Sequence, residues 1–157
     1  MTRIDGKLPR AFALTKTELH AAADFFAAQS SRRIRVPFQV VEVHLQDDVA
    51  SDAAHQAIMN IVGATDVITQ GYDPMPPEPD GIYGELFVNC DRAKSAAPHR
   101  KGWSIADELL LYIAHGMDHL SGADDHAPKD YNRMRRRELG WLKAWKEAYY
   151  GNERNER

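Results

Sequence analysis

One cysteine, Cys90, stands among 157 residues, so no internal disulfide can staple the chain and a packed core has to hold it. Such sparse usage suits a reducing cytosol, and the thiol reads as a small buried residue rather than a nucleophile. No apolar run approaches the roughly 18 residues of a membrane span. Met1 to Leu14 carries basic residues without a continuous apolar stretch, so a secretory leader is not expected. Positive charge is not in excess either. The net charge is −3, which leaves any contact with nucleic acid to a local patch. No internal repeat is visible. A length of 157 residues with 43% hydrophobic and 27% charged residues fits one domain of cytoplasmic, globular type, 1–157, with a polar tail from about residue 150.

Against these absences one stretch stands out, His115 to His126, which reads HGMDHLSGADDH. His115 and His119 are four apart and share one face of a helix. Imidazole is the commonest metal ligand, and two at this spacing can hold one ion. Gly122 supplies a residue that tolerates positive φ where the helix must end. The chain can then double back and offer a third ligand from Asp124, Asp125 or His126. The run before the pair, Leu109 to Ala114, is almost wholly apolar and would fix the histidines on a buried support. Three protein ligands with a fourth position open is the arrangement of catalytic zinc. The competing reading of DDH is an N-cap for the following helix.

Elsewhere the pattern alternates between helix and strand. Thr15 to Glu18 has capping-box form and opens a helix that Ser30-Ser31 is expected to end, leaving Arg32, Arg33 and Arg35 in a basic turn. Phe38 to Leu45 alternates as a strand, and Asp47 or Asp48 caps a helix to about Asn60. Asp66–Thr69 and Ile82–Val88 read as strands, the latter antiparallel at a sheet edge, with a surface loop holding four prolines between them. A short helix near Asp91–Ala97 follows; Ser104 and Asp107 cap the motif helix, and Pro128 opens a last helix through Tyr149. The fold class expected is α+β, a small mixed sheet with the histidine helix packed across it.

The motif resembles the H-G-x-L-H-L-x-G-Y-D-H signature of the YbeY family, metal-dependent endoribonucleases that mature ribosomal RNA. Thr65-Asp66-Val67-Ile68-Thr69 is similar to the family's P-T-D-V-L-S segment, and Gly84 to Val88 to its G-D/E-I-x-I strand. In order and approximate spacing the likeness spans about residues 40–140. It implies a metzincin-like metal helix and return loop, one Zn2+, and His115, His119 and Asp125 as the catalytic and metal-binding set. Counted from His115, the family's third His falls on Asp125; His126, one later, is the substitute ligand. The resemblance further implies single-stranded RNA and the small ribosomal subunit as partners, with no membrane and no DNA, and a role at the 3′ end of 16S rRNA. A departure follows: the family's Arg about six residues before the T-D-V segment falls on Met59, and no Arg lies between Arg35 and Arg92. The alternatives are a ribosome-associated metal-binding protein with weak or no hydrolytic activity, and a metal hydrolase of another substrate class.

Gly116 stands where H-E-x-x-H peptidases place their general base, which disfavours peptidase chemistry. Asp118 reads as a solvated carboxylate or one that orients a His ring, and Asp124 as a brace of the loop. Arg133, Arg135, Arg136 and Arg137 are candidates for phosphate contact, set against a solvated helix face; Thr69 and Gln70 are candidates for hydrogen bonds to substrate. His20, His44 and His55 show no ligand spacing, and Trp103, Trp141 and Trp145 read as packing aromatics.

Overall fold

The computed structural model describes residues 1–151. Four strands, β1 (Thr2–Asp5), β2 (Phe38–Gln46), β3 (Val67–Tyr72) and β4 (Ile82–Asn89), form a sheet in the order β1-β2-β4-β3. β1, β2 and β4 run parallel, with Thr2 opposite Val41 and Val43 opposite Leu86; β3 pairs antiparallel with β4, placing Thr69 opposite Leu86. The mixed α+β class is as the sequence implies. The expectation of Ile82–Val88 at an edge is corrected: β4 lies between β2 and β3, and the edges are β1 and β3. Its alternation of Glu85 and Phe87 with Leu86 and Val88 looks one-sided, yet both neighbours use its backbone. β1 has four residues and no pattern of its own, and escapes the sequence reading.

The helices are α1 (Lys16–Ile34), α2 (Asp48–Met59), α3 (Cys90–Ala96), α4 (Ile105–Leu120) and α5 (Pro128–Tyr150). α1 opens on the Thr15–Glu18 capping box but does not stop at Ser30-Ser31. Ser30 is buried within it, and the helix runs on to Arg35, whose φ of 57° turns the chain. Arg32 and Arg33 therefore sit in the last turn, where the helix dipole favours cations. α2 starts from the Asp47 cap and ends at Asn60 in the left-handed region. The tail expected from about 150 lies, beyond Gly151, outside the described residues.

α4 is the centre of the packing. It meets β3 and β4 on one side and α1, α3 and α5 on others, so apolar residues all round it are required rather than a stripe. Leu109, Leu111, Ile113, Ala114 and Met117 are wholly buried. Each large side chain so placed contributes roughly 1.5–3 kcal/mol. Val41, Val43, Leu86 and Val88 form the sheet's share of the core, and Phe26, Leu142 and Trp145 bring in α1 and α5. Gly116 is where α4 comes closest to β4: a Cβ there would stand 2.7 Å from a methyl of fully buried Leu86. The missing side chain lets the helix that carries the histidines lie on the sheet.

Candidate metal centre

The last turns of α4 carry His115 and His119, whose Nε2 atoms face each other at 3.0 Å. Past Ser121, Gly122 takes φ +93° and the chain returns so that Asp125 Oδ2 lies 3.5 Å from His115 Nε2 and 3.4 Å from His119 Nε2. These three side chains form a group whose ligand atoms all lie within 4.8 Å of one another. His126 stands apart from the pair. Its side chain is 92% exposed and reaches Asp124 at 3.5 Å. Asp124 also accepts from the His126 backbone N–H, the bracing role read from the sequence.

Both Nδ1 atoms have fixed acceptors. The His115 Nδ1–H donates to the Glu138 carboxylate at 3.0 Å, and the His119 Nδ1–H to the Ala123 carbonyl at 3.0 Å. A carbonyl or carboxylate oxygen accepts only, so each neutral ring carries its proton on Nδ1 and presents the Nε2 lone pair inward. Two converging lone pairs and a carboxylate oxygen repel one another unless a cation or proton lies between them. The donor set of two imidazoles and one carboxylate suits zinc.

Glu138 is fully buried on α5, one turn after Met134, and sequence reasoning passed over it. Burial pushes its carboxyl above the ordinary value, and the His115 hydrogen bond draws it part of the way back. For His115, burial disfavours the imidazolium, yet the Glu138 hydrogen bond and charge outweigh that and hold it above its usual value. The orienting carboxylate is therefore Glu138, and the reading of Asp118 in that role is corrected. Asp118 is wholly buried; Arg137 grips both its oxygens at 2.9–3.2 Å through Nε and Nη2, and Arg33 of α1 approaches at 3.6 Å. Arg137 and Glu138, adjacent on α5, thus hold Asp118 and His115, three apart on α4. No local signal pairs them, because the partners lie 19 and 23 residues apart along the chain.

The trio opens on a cavity of about 500 Å³. Its walls include Met59 at the end of α2, Asp66 to Thr69 around β3, and Tyr131 and Arg135 of α5. Thr69 lines it as expected, whereas Gln70 does not. Of the arginines after the site, Arg135 faces the cavity and Arg137 is spent on Asp118. On the far side of the sheet His44 bonds Glu85 at 2.9 Å and Asp5 at 3.2 Å and stands with Glu42 and Glu85 as a second group of possible metal ligands, which its sequence spacing does not show because the three come from two strands. Trp145 is buried in the core, with Trp103 and Trp141 packed against it. Burial pushes the Cys90 thiol up to about 11, as for an inert structural residue.

The family model described as Endoribonuclease YbeY matches residues 10–146. A protein of that description from Arthrobacter sp. (strain FB24) is 30% identical over 123 residues, covering 74% of this chain and 75% of its own. Another, from Rhodopirellula baltica, is 33% identical over 104 residues, covering 66% of this chain and 52% of its own. The solution structure of TM1509 from Thermotoga maritima matches with a TM-score of 0.62 over 97% of this chain and 93% of that one. At 20% identity that likeness is one of fold.

Proposed function

This chain belongs to the YbeY family of endoribonucleases, and we propose on that footing that it is a zinc-dependent, single-strand-specific endoribonuclease acting in maturation of the 16S rRNA 3′ end. The proposal takes residues 1–157 as one cytoplasmic domain whose partners are single-stranded rRNA and the small ribosomal subunit. Among the described residues no helix is long and apolar enough to cross a membrane. The observation that carries the reading is the inward convergence of the His115 and His119 Nε2 atoms on Asp125, with both Nδ1 protons held from behind.

In this reading His115, His119 and Asp125 hold the ion and His126 stays in solvent. Zinc at such a site supplies a Lewis acid for a phosphoryl oxygen and lowers the pKa of water toward ~7. Glu138 and the Ala123 carbonyl keep each ring in the binding tautomer and orientation. Asp125, brought back by the turn at Gly122, completes the set. Thr69 offers a hydroxyl from the cavity wall to a substrate oxygen. Gly116 offers no base, and Leu86 leaves no room for one, which weighs against the peptidase branch of the metal-hydrolase alternative. The second reading, a ribosome-associated metal-binding protein with weak or no turnover, draws on Met59, which brings a thioether to the cavity wall where the resemblance leads one to look for a guanidinium.

The test is cleavage of a labelled single-stranded RNA by zinc-loaded wild type beside His119→Ala prepared identically. Turnover in the wild type that vanishes in the variant is the expected result. Equal cleavage by both would be contamination and would count against the proposal. Zinc binding by the wild type with cleavage by neither would favour the non-catalytic reading.

A further inference from the structure

Three carboxylates line the cavity, Asp66, Asp124 and Asp125, and they oppose the entry of a polyanion. Among the described residues on its wall the only guanidinium is that of Arg135. Its Nε is buried yet has no hydrogen-bond partner. Nη2 donates to the Tyr131 hydroxyl at 3.2 Å, and the guanidinium carbon lies 5.5 Å from the Tyr131 ring centroid. Tyr131 precedes it by one turn of α5, so the two side chains form a pair on one helix face. Arg137, two positions on, shows the contrast, with Nε and Nη2 both satisfied by Asp118.

A buried, charged N–H without an acceptor is a standing cost that native proteins rarely carry without reason. A phosphate in the cavity offers the paired oxygens that a guanidinium takes in its plane, and a turn of the Arg135 side chain that uncovers Nε would satisfy both groups.

We propose that Arg135, paired with Tyr131, is the phosphate-binding residue of this site and takes the non-bridging oxygens of the RNA phosphodiester presented to His115, His119 and Asp125. The proposal rests on the endoribonuclease reading and adds the residue that positions its substrate. The guanidinium then comes from α5 into the cavity that Met59 also lines, and the Arg missing near residue 59 is supplied by another element.

The experiment is anisotropy titration of a short fluorescein-labelled 2′-O-methyl oligouridylate over a salt series, beside cleavage kinetics on the matching RNA. Zinc-loaded wild type, Arg135→Ala, Arg135→Lys and the exposed neighbour Arg136→Ala are compared. Loss of one phosphate contact should weaken binding by Arg135→Ala about tenfold and lower the slope of log K against log salt by about 0.7. KM should rise by a similar factor, with zinc stoichiometry and melting temperature as in wild type. Arg135→Lys should restore the slope but only part of the affinity, and Arg136→Ala should match wild type. Unchanged affinity and slope in Arg135→Ala, with normal wild-type cleavage, overturns the assignment alone. If that variant does not fold, Arg135→Gln decides, and a wild-type slope there is equally fatal. Wild type that neither binds nor cleaves RNA removes the endoribonuclease reading, and this proposal with it.

Discussion

Glu138 is the residue on which the geometry of the metal site turns. It holds the His115 ring from behind, at the bottom of a contact that excludes water. Replacing it with Gln keeps an acceptor oxygen and the volume but removes the charge that complements the imidazole N–H. Zinc affinity of Glu138→Gln, measured by competition with a chromophoric chelator, should fall by roughly 10–100-fold with the fold intact. An unchanged affinity would mean that His115 is oriented by α4 alone. The pairing of His115 and His119 on one helix face was legible in the sequence, because four-residue spacing on a helix is a local signal. Glu138 was not. It follows three arginines, and a run of that kind reads as a solvated face until the fold shows that its fourth member points inward.

At the level of elements, α4 and α5 are joined by Asp118 with Arg137, His115 with Glu138 and Asp107 with Lys146, polar contacts set in an apolar interface. Asp118 joins Arg137 on α5 and Arg33 on α1, so three helices share one buried carboxylate. Such a pair adds little net stability over an apolar substitute, yet losing one partner strands the other. Asp118→Ala should cost about 3 kcal/mol in urea denaturation, because two guanidinium groups are left beside a void. Asp118→Asn should cost less, since one oxygen still accepts. Equal midpoints for wild type and Asp118→Ala would show that solvent reaches the site and satisfies both arginines. Capped helices were the most readable elements: Thr15–Glu18, Asp47 and Ser104–Asp107 are each found as caps. Their chemistry is local. The end of α1 lies beyond Ser30-Ser31 because the helix penalty of serine is only a fraction of a kcal/mol, and the buried face of α1 carries the helix past them.

For the molecule as a whole, what escaped the sequence is what depends on distant pairing. β1 exists because Thr2–Asp5 finds Val41–His44, and β4 is central because both its edges are claimed. Neither fact is written in the strands themselves. The mixed class, the helix across the sheet and the return loop were legible, since each follows from patterns within some twenty residues of one another.

One property of α4 reaches further. A helix wrapped by strands on one side and helices on the others cannot release its backbone hydrogens to solvent unless its neighbours leave first. Deuterium uptake at Leu109 to His115 should therefore be the slowest in the chain and should proceed only through global unfolding. Residues 121 to 127, mostly outside that shell, should exchange early, and zinc, which would bind the folded chain alone, should slow both the loop and α4. Exchange in α4 as fast as in the loop would contradict this. The two halves of the proposed site are then held on different terms: the histidines by the fold as a whole, and Asp125 by a short loop at its surface.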